Sequence, residues 1–170
     1  MKMKILITLI CIYFFVMISC NGTTVVYPKL KDTIYFNSFE SASDTAGWKG
    51  YGWIDIKQDP SPNGGKQSLF TAGGCIIPHV QLDIDQQSED GNYILQGWIK
   101  VLQNGGSISL CIADSAKNIS IYSQDTVWTF YQSEDTLFCP ADLNMRLELM
   151  SGGFIPGGML VDQIAVKRVN

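Results

Sequence analysis

The sequence predicts an all-β domain of two packed antiparallel sheets. Three observations carry that expectation. After the first thirty-two residues no stretch sustains a helical period. Short runs of alternating apolar and polar residues take its place, and Gly, Asn, Asp and Pro separate them. "PSPNGGK" and "QNGGS" both carry Asn-Gly, a pair that tolerates the positive φ of hairpin turns.

The N-terminal segments are set aside first. Lys2 and Lys4 precede an apolar run from Ile5 to Ile18 that ends at Ser19-Cys20, the pattern of a secretion signal over residues 1–19. The run is shorter than the ~20 apolar residues a membrane span needs. "MISC" resembles the lipobox of bacterial lipoproteins, which implies Cys20 as a lipidated N-terminus; the alternative is an ordinary signal cut nearby. Residues 20–32 read as a tether, with Asn, Gly, Thr and Pro around a short apolar patch. Residues 33–170 form the domain. The expected address is the bacterial cell envelope, at the outer membrane or the cell surface, anchored to the membrane through Cys20.

Without Lys2 and Lys4 the chain keeps ten basic against sixteen acidic residues, a net charge of −6, and has no basic cluster. That excludes nucleic acid as an expected partner, because neutralising phosphates dominates such binding. Cys75, Cys111 and Cys139 remain in the domain, in "GGCIIP", "SLCIAD" and "LFCPAD". They read either as buried apolar thiols or as one disulfide plus a free thiol.

The expected strands are 33–39, 53–57, 67–72, 75–82, 91–102, 107–113, 119–123, 126–132, 135–139, 144–150 and 160–168. The Trp48 ring is expected in the core. Glycines 47, 50 and 52 make the stretch around Tyr51 and Trp53 loop-like, with both rings at the rim of a cleft. In "YILQGWIKV" alternation puts Leu95, Gly97, Ile99 and Val101 on one face and Gln96, Trp98 and Lys100 on the other. In "NMRLELM" Met145, Leu147 and Leu149 oppose Asn144, Arg146 and Glu148. The apolar sets fill the core, and the opposite sets combine Trp98 with Gln96, Lys100, Asn144, Arg146 and Glu148 on an expected outward surface.

Sugars offer flat C–H faces and hydroxyl edges, so a ring beside a few placed polar groups is the chemistry that grips them. Trp98 with Gln96, and Arg146 with Glu148, carry that chemistry; Tyr51, Trp53 and Tyr131 are secondary candidates. Each has a plainer reading, as sheet packing or a solvated ion pair. For catalysis the chain offers little. His79 is the single histidine, no Gly-x-Ser-x-Gly elbow accompanies it, and the acids fall mainly in turns.

In order along the chain, "YFNSFESASDTAGW", "NGGKQSLFTAGG", "GNYILQGWIKV", "DTVWTFYQSEDTLF" and "GGMLVDQIAV" resemble successive motifs of β-jelly-roll carbohydrate-binding modules and of the broader galactose-binding-like superfamily, from Tyr35 to Val169. The resemblance implies a jelly-roll sandwich and a non-catalytic glycan-binding role. It also implies a structural calcium held by the Glu40 and Asp162 side chains with carbonyls near Ser38 and Lys49, a hard-oxygen set that suits calcium. The chain departs from the pattern at "VDQ", where the family carries "DD". The rival expectation is a structural or protein-interaction lipoprotein with a protein partner and no sugar ligand.

Overall fold

A computed structural model describes residues 32–72, 77, 79–152 and 157–169. Cys20, Cys75, the signal and nearly all of the tether lie outside them. The described chain forms twelve strands: β1 (Thr33–Asn37), β2 (Lys49–Tyr51), β3 (Trp53–Lys57), β4 (Ser68–Ala72), β5 (His79–Ile84), β6 (Gly91–Gln103), β7 (Gly106–Ile112), β8 (Asn118–Ser123), β9 (Thr129–Gln132), β10 (Leu137–Cys139), β11 (Met145–Ser151) and β12 (Gly158–Val169). One 3-10 turn, Ala42–Thr45, follows β1.

The strands make a two-sheet antiparallel sandwich, the jelly-roll architecture expected. One sheet has five strands in the order β2-β5-β11-β7-β8. The other has seven, built around the long pair β6 and β12. Along its free side β12 pairs first with β4 (Met159 to Val161) and then with β1 (Ile164 to Lys167), and a register shift falls between Asp162 and Ala165. The free side of β6 is divided the same way, between β10 and β9.

Alternation fixes the core. Leu95, Ile99, Val161, Ile164 and Val166 of the larger sheet meet Ile108, Leu110, Met145, Leu147 and Leu149 of the smaller, all fully buried. Burial of each such side chain stabilises by roughly 1.5–3 kcal/mol. Trp48 joins them, tilted against Phe39 with ring centroids 6.3 Å apart. Cys111 and Cys139 are free and buried, as the thiol reading expects; burial pushes the Cys111 thiol up to about 12.

The expected strand ends shift by a few residues at most places. The stretch around Tyr51 is a correction: β2 is a strand and not a loop. Its glycine is there for contact rather than turning, because a Cβ on Gly50, at φ +133°, would lie 2.2 Å from the His79 carbonyl oxygen.

Candidate functional site

The chain folds its candidate residues into three places. The first lies where β4 gives way to β1 along β12, a gap into which two loops enter. The Asn37 side chain caps the end of β1, accepting from Phe39 N at 2.8 Å and donating to the Asp44 carbonyl. This holds Phe39 at φ +55°, a conformation uncommon for residues with a side chain, and aims its ring into the core. Glu40 then turns to the second loop, where its carboxylate accepts from Lys66 N at 2.9 Å. On β12, Asp162 is fully buried and accepts from Ser61 N at 3.0 Å and from Gln163 N at 2.7 Å. The Gln163 side chain reaches back to the Ser61 hydroxyl at 2.9 Å. Glycines allow the loop this close: a Cβ on Gly64 would lie 2.1 Å from Asp162 Oδ2, and one on Gly65 2.2 Å from Glu40 Oε1.

This gap tests the expected metal set. Burial pushes the Asp162 carboxyl up to about 6, and the Glu40 carboxylate adds to the rise. The buried Asp162 carboxylate and the half-buried Glu40 carboxylate thus lie close enough to interact, beside backbone amides and the Ser61 hydroxyl, and among the described residues no cationic side chain bonds to Asp162. Such hard-oxygen donors fit calcium. Among the described residues no three His, Cys, Asp or Glu side chains gather, so any further ligands are carbonyls or water. Ser38 lies in the same turn as Glu40. Lys49 is on β2 of the other sheet, its Nζ 2.6 Å from Asp83.

The second place is the outer face of the seven-stranded sheet, which carries Trp98 and Gln96. Trp98 is half-buried, with its ring tilted against Phe130 at 5.6 Å between centroids. Gln96 donates to Gln132 on the neighbouring strand. The segment between β3 and β4 folds over part of this face. Its Asp59 accepts from Lys100 Nζ at 2.7 Å and from Trp128 Nε1 at 3.1 Å, and the Lys100 ammonium holds the Asp59 carboxyl below its usual range. Trp53, 67% exposed, stands on β3 at the edge of this sheet.

The third place is the outer face of the five-stranded sheet, and it holds Arg146 and Glu148. The expectation that Trp98 and Gln96 share one surface with Arg146 and Glu148 is therefore corrected: β6 and β11 belong to different sheets, so the two sets face away from each other. Strand register sets the residues of this third face in rows. Lys49, Gln81, Glu148, Ser109 and Ser120 form one, and Tyr51, His79, Met150, Ser107 and Tyr122 the next. Tyr51 is 75% and Tyr122 60% exposed, one at each end of the second row. Four strand spacings separate them, about 19 Å. Asp83 takes both Lys49 at 2.6 Å and Arg146 at 2.7 Å, and His79 Nε2 lies 3.2 Å from a Glu148 carboxylate oxygen. Tyr131, the last candidate, packs against the core from β9, and its hydroxyl reaches Asp125 and, at 3.0 Å, Ser123.

Tyr122 and Met150 were missed from sequence. The alternation in "NISIYS" puts Asn118, Ser120 and Tyr122 on one face, a signal that was present for Tyr122.

No protein-family model matches the chain, and no curated protein matches it significantly. Solved structures do. The C-terminal family 22 carbohydrate-binding module of Clostridium thermocellum Xyn10B is 12% identical at a TM-score of 0.59, over 83% of this chain and 97% of that one. The CBM22-1–GH10 modules of the xylanase 10B from the same organism, complexed with xylohexaose, are 12% identical at 0.57 over 83% of this chain. The enzymatically active domain of bacteriophage CBA120 tailspike protein 4 is 13% identical at 0.58 over 78% of this chain. The chain spans 29% of that xylanase chain and 20% of that tailspike chain. The fold is that of β-jelly-roll carbohydrate-binding modules.

Proposed function

We propose that this domain is a non-catalytic glycan-binding domain, carried in the bacterial cell envelope on a lipidated Cys20. The observation that carries the reading is the row from Tyr51 to Tyr122 on the open face of the five-stranded sheet. Two exposed phenol rings bracket a polar floor, which is the arrangement that grips a sugar chain: platforms for C–H faces, donors and acceptors for hydroxyl edges. Their separation suits a stretch of oligosaccharide lying across the strands rather than a single sugar. Because Lys49 and Arg146 are both tied to Asp83 and Glu148 stands in the next row, the floor's cations and carboxylates balance and give an ionic ligand no net charge to meet, so the ligand is a neutral glycan. Trp98 and Gln96 form the wall of the opposite face. Calcium belongs to the gap at β12, where Glu40 and Asp162 would hold it. When bound, it would neutralise the buried Asp162 carboxylate and pin the ends of β1 and β4 together, away from the sugar face.

The test is a panel of neutral and acidic polysaccharides, run with calcium and with chelator on the protein and on Tyr51→Ala, Tyr122→Ala and Trp98→Ala. Saturable binding of a neutral glycan that either tyrosine substitution weakens, and that Trp98→Ala leaves in place, is the expected outcome. Absence of binding across the panel would overturn the reading.

A further inference from the structure

A groove of about 640 Å³ runs along one side of the sandwich, between residues 118–122 of β8 and residues 131–136. β8 is the last strand of the five-stranded sheet: all six of its residues pair with β7 without a register shift, and among the described residues no strand pairs with its other edge. Open edges are templates for a further strand, and folded proteins blunt them with short strands, charges, bulges or glycines. The other edges here are blunted in those ways. β2 has three residues with Gly50 at positive φ, β3 carries Asp55 and Lys57, β9 and β10 are short pieces separated by 133–136, and β1 has a register shift. β8, "NISIYS", has no charge, no Pro and no Gly.

The opposite wall is fixed in position. Ser133 donates its N–H to the Leu95 carbonyl at 2.8 Å, while its hydroxyl accepts from Leu95 N at 3.1 Å and donates to the Asp135 carbonyl at 2.9 Å. At one end the Tyr131 hydroxyl ties the two walls together at Ser123. Five strand residues span about 17 Å, so the groove averages roughly 38 Å² in cross-section, room for one extended chain beside β8. The lining includes Glu134 and Asp135 and no Lys or Arg.

We infer that this groove takes an extended basic peptide, which adds to β8 as a sixth strand of the five-stranded sheet. Main-chain hydrogen bonds to the free edge supply the attraction. Alternate side chains of the peptide pack beside Ile119 and Ile121 on the inner side and lie beside Ser120 and Tyr122 on the outer, and its cationic groups meet Glu134 and Asp135. This site is separate from the proposed sugar platforms, apart from Tyr122 at their boundary, and does not depend on them.

The probe is the capped peptide acetyl-KVTVKV-amide, added to the full protein and read by affinity and by amide hydrogen exchange. Slower exchange across 118–123 is expected, with at least tenfold weaker binding of acetyl-EVTVEV-amide. Two N-methylated forms of the probe, one blocked at the valines and one at the lysines and threonine, remove the donors of opposite edges; one should lose at least tenfold and the other keep its affinity. Converting both exposed acids, Glu134→Lys with Asp135→Lys, should weaken the basic probe at least tenfold. The inference is overturned by absence of protection at millimolar peptide, or by equal binding of both N-methylated forms. It is equally overturned if protein concentration alone protects 118–123, which would make a second copy the occupant, or if xylohexaose rather than the peptide protects the groove.

Discussion

The two outer faces of the sandwich arise from the same period-two alternation and end up as different surfaces. On the seven-stranded sheet a loop covers part of the outward face, where Asp59 ties down Lys100 and Trp128 and Ser61 caps Asp162, and Trp98 packs on Phe130 of the neighbouring strand; away from the loop, Phe130 and Phe138 stay about half exposed. On the five-stranded sheet no such loop among the described residues bonds to the floor, Lys49 and Arg146 meet Asp83 in the plane, and the large rings stand at the two edges. The comparison teaches that alternation decides which way a side chain points, while the connection that crosses the sheet decides whether it reaches solvent. Large rings on a covered face serve stability, and rings on an open face are available for recognition.

Substitutions that separate these roles follow, beginning with the covered face. Gly64→Ala would drive a methyl group into Asp162 Oδ2 and the Ser61 hydroxyl, and unfolding should be easier by about 3 kcal/mol or more, measured by urea denaturation. The Asp162 carboxyl gives the next largest effect. Its folded value of about 6 stands above the 3.8 of a free aspartate, so the folded state holds the proton more tightly. Its contribution is most favourable at low pH, and roughly 2–3 kcal/mol is lost as pH rises from about 4 to about 6 in chelator. Calcium should restore that loss, raising Tm more at pH 7 than at pH 5; Asp162→Asn should abolish the calcium response, and an unchanged response would remove the metal from this gap.

Trp98→Ala comes third, with a loss of about 2 kcal/mol because the ring is half-buried, and no change in glycan affinity. Tyr51→Ala should shift stability by no more than about 0.5 kcal/mol while weakening glycan binding about tenfold, the reverse pattern. If Trp98→Ala lost binding at unchanged stability, the covered and open faces would have to exchange roles.

Much of the fold was legible in the chain because its cause is local. Leu95, Ile99, Met145, Leu147 and Leu149 alternate with polar residues, and a half-buried strand is the one structure that separates them. The nearness of Glu40 to Asp162 was legible only through a family resemblance, since it depends on β1 pairing with β12 across the length of the domain. Sheet membership was not legible at all. Nothing in "YILQGWIKV" or "NMRLELM" records that β6 and β11 lie in different sheets, so Trp98 and Arg146 looked like neighbours. The short β2 was hidden by its glycines, which read as a turn until the His79 carbonyl opposite Gly50 accounts for one of them.

The pairing of the first strand with the last has a mechanical consequence. Thr33 stands against Lys167, and Arg168 N bonds to the Asp32 carbonyl at 2.8 Å, so the described chain enters and leaves at the same end of the sandwich. A pull transmitted through the segment before Thr33 is therefore borne first by the β1–β12 ladder. Directed along the strands, that load shears several backbone bonds together; directed across them, it peels the ladder one bond at a time from Thr33. The domain would grip firmly under tension in one direction and yield in the other, like a strap whose strength depends on the angle of the tug.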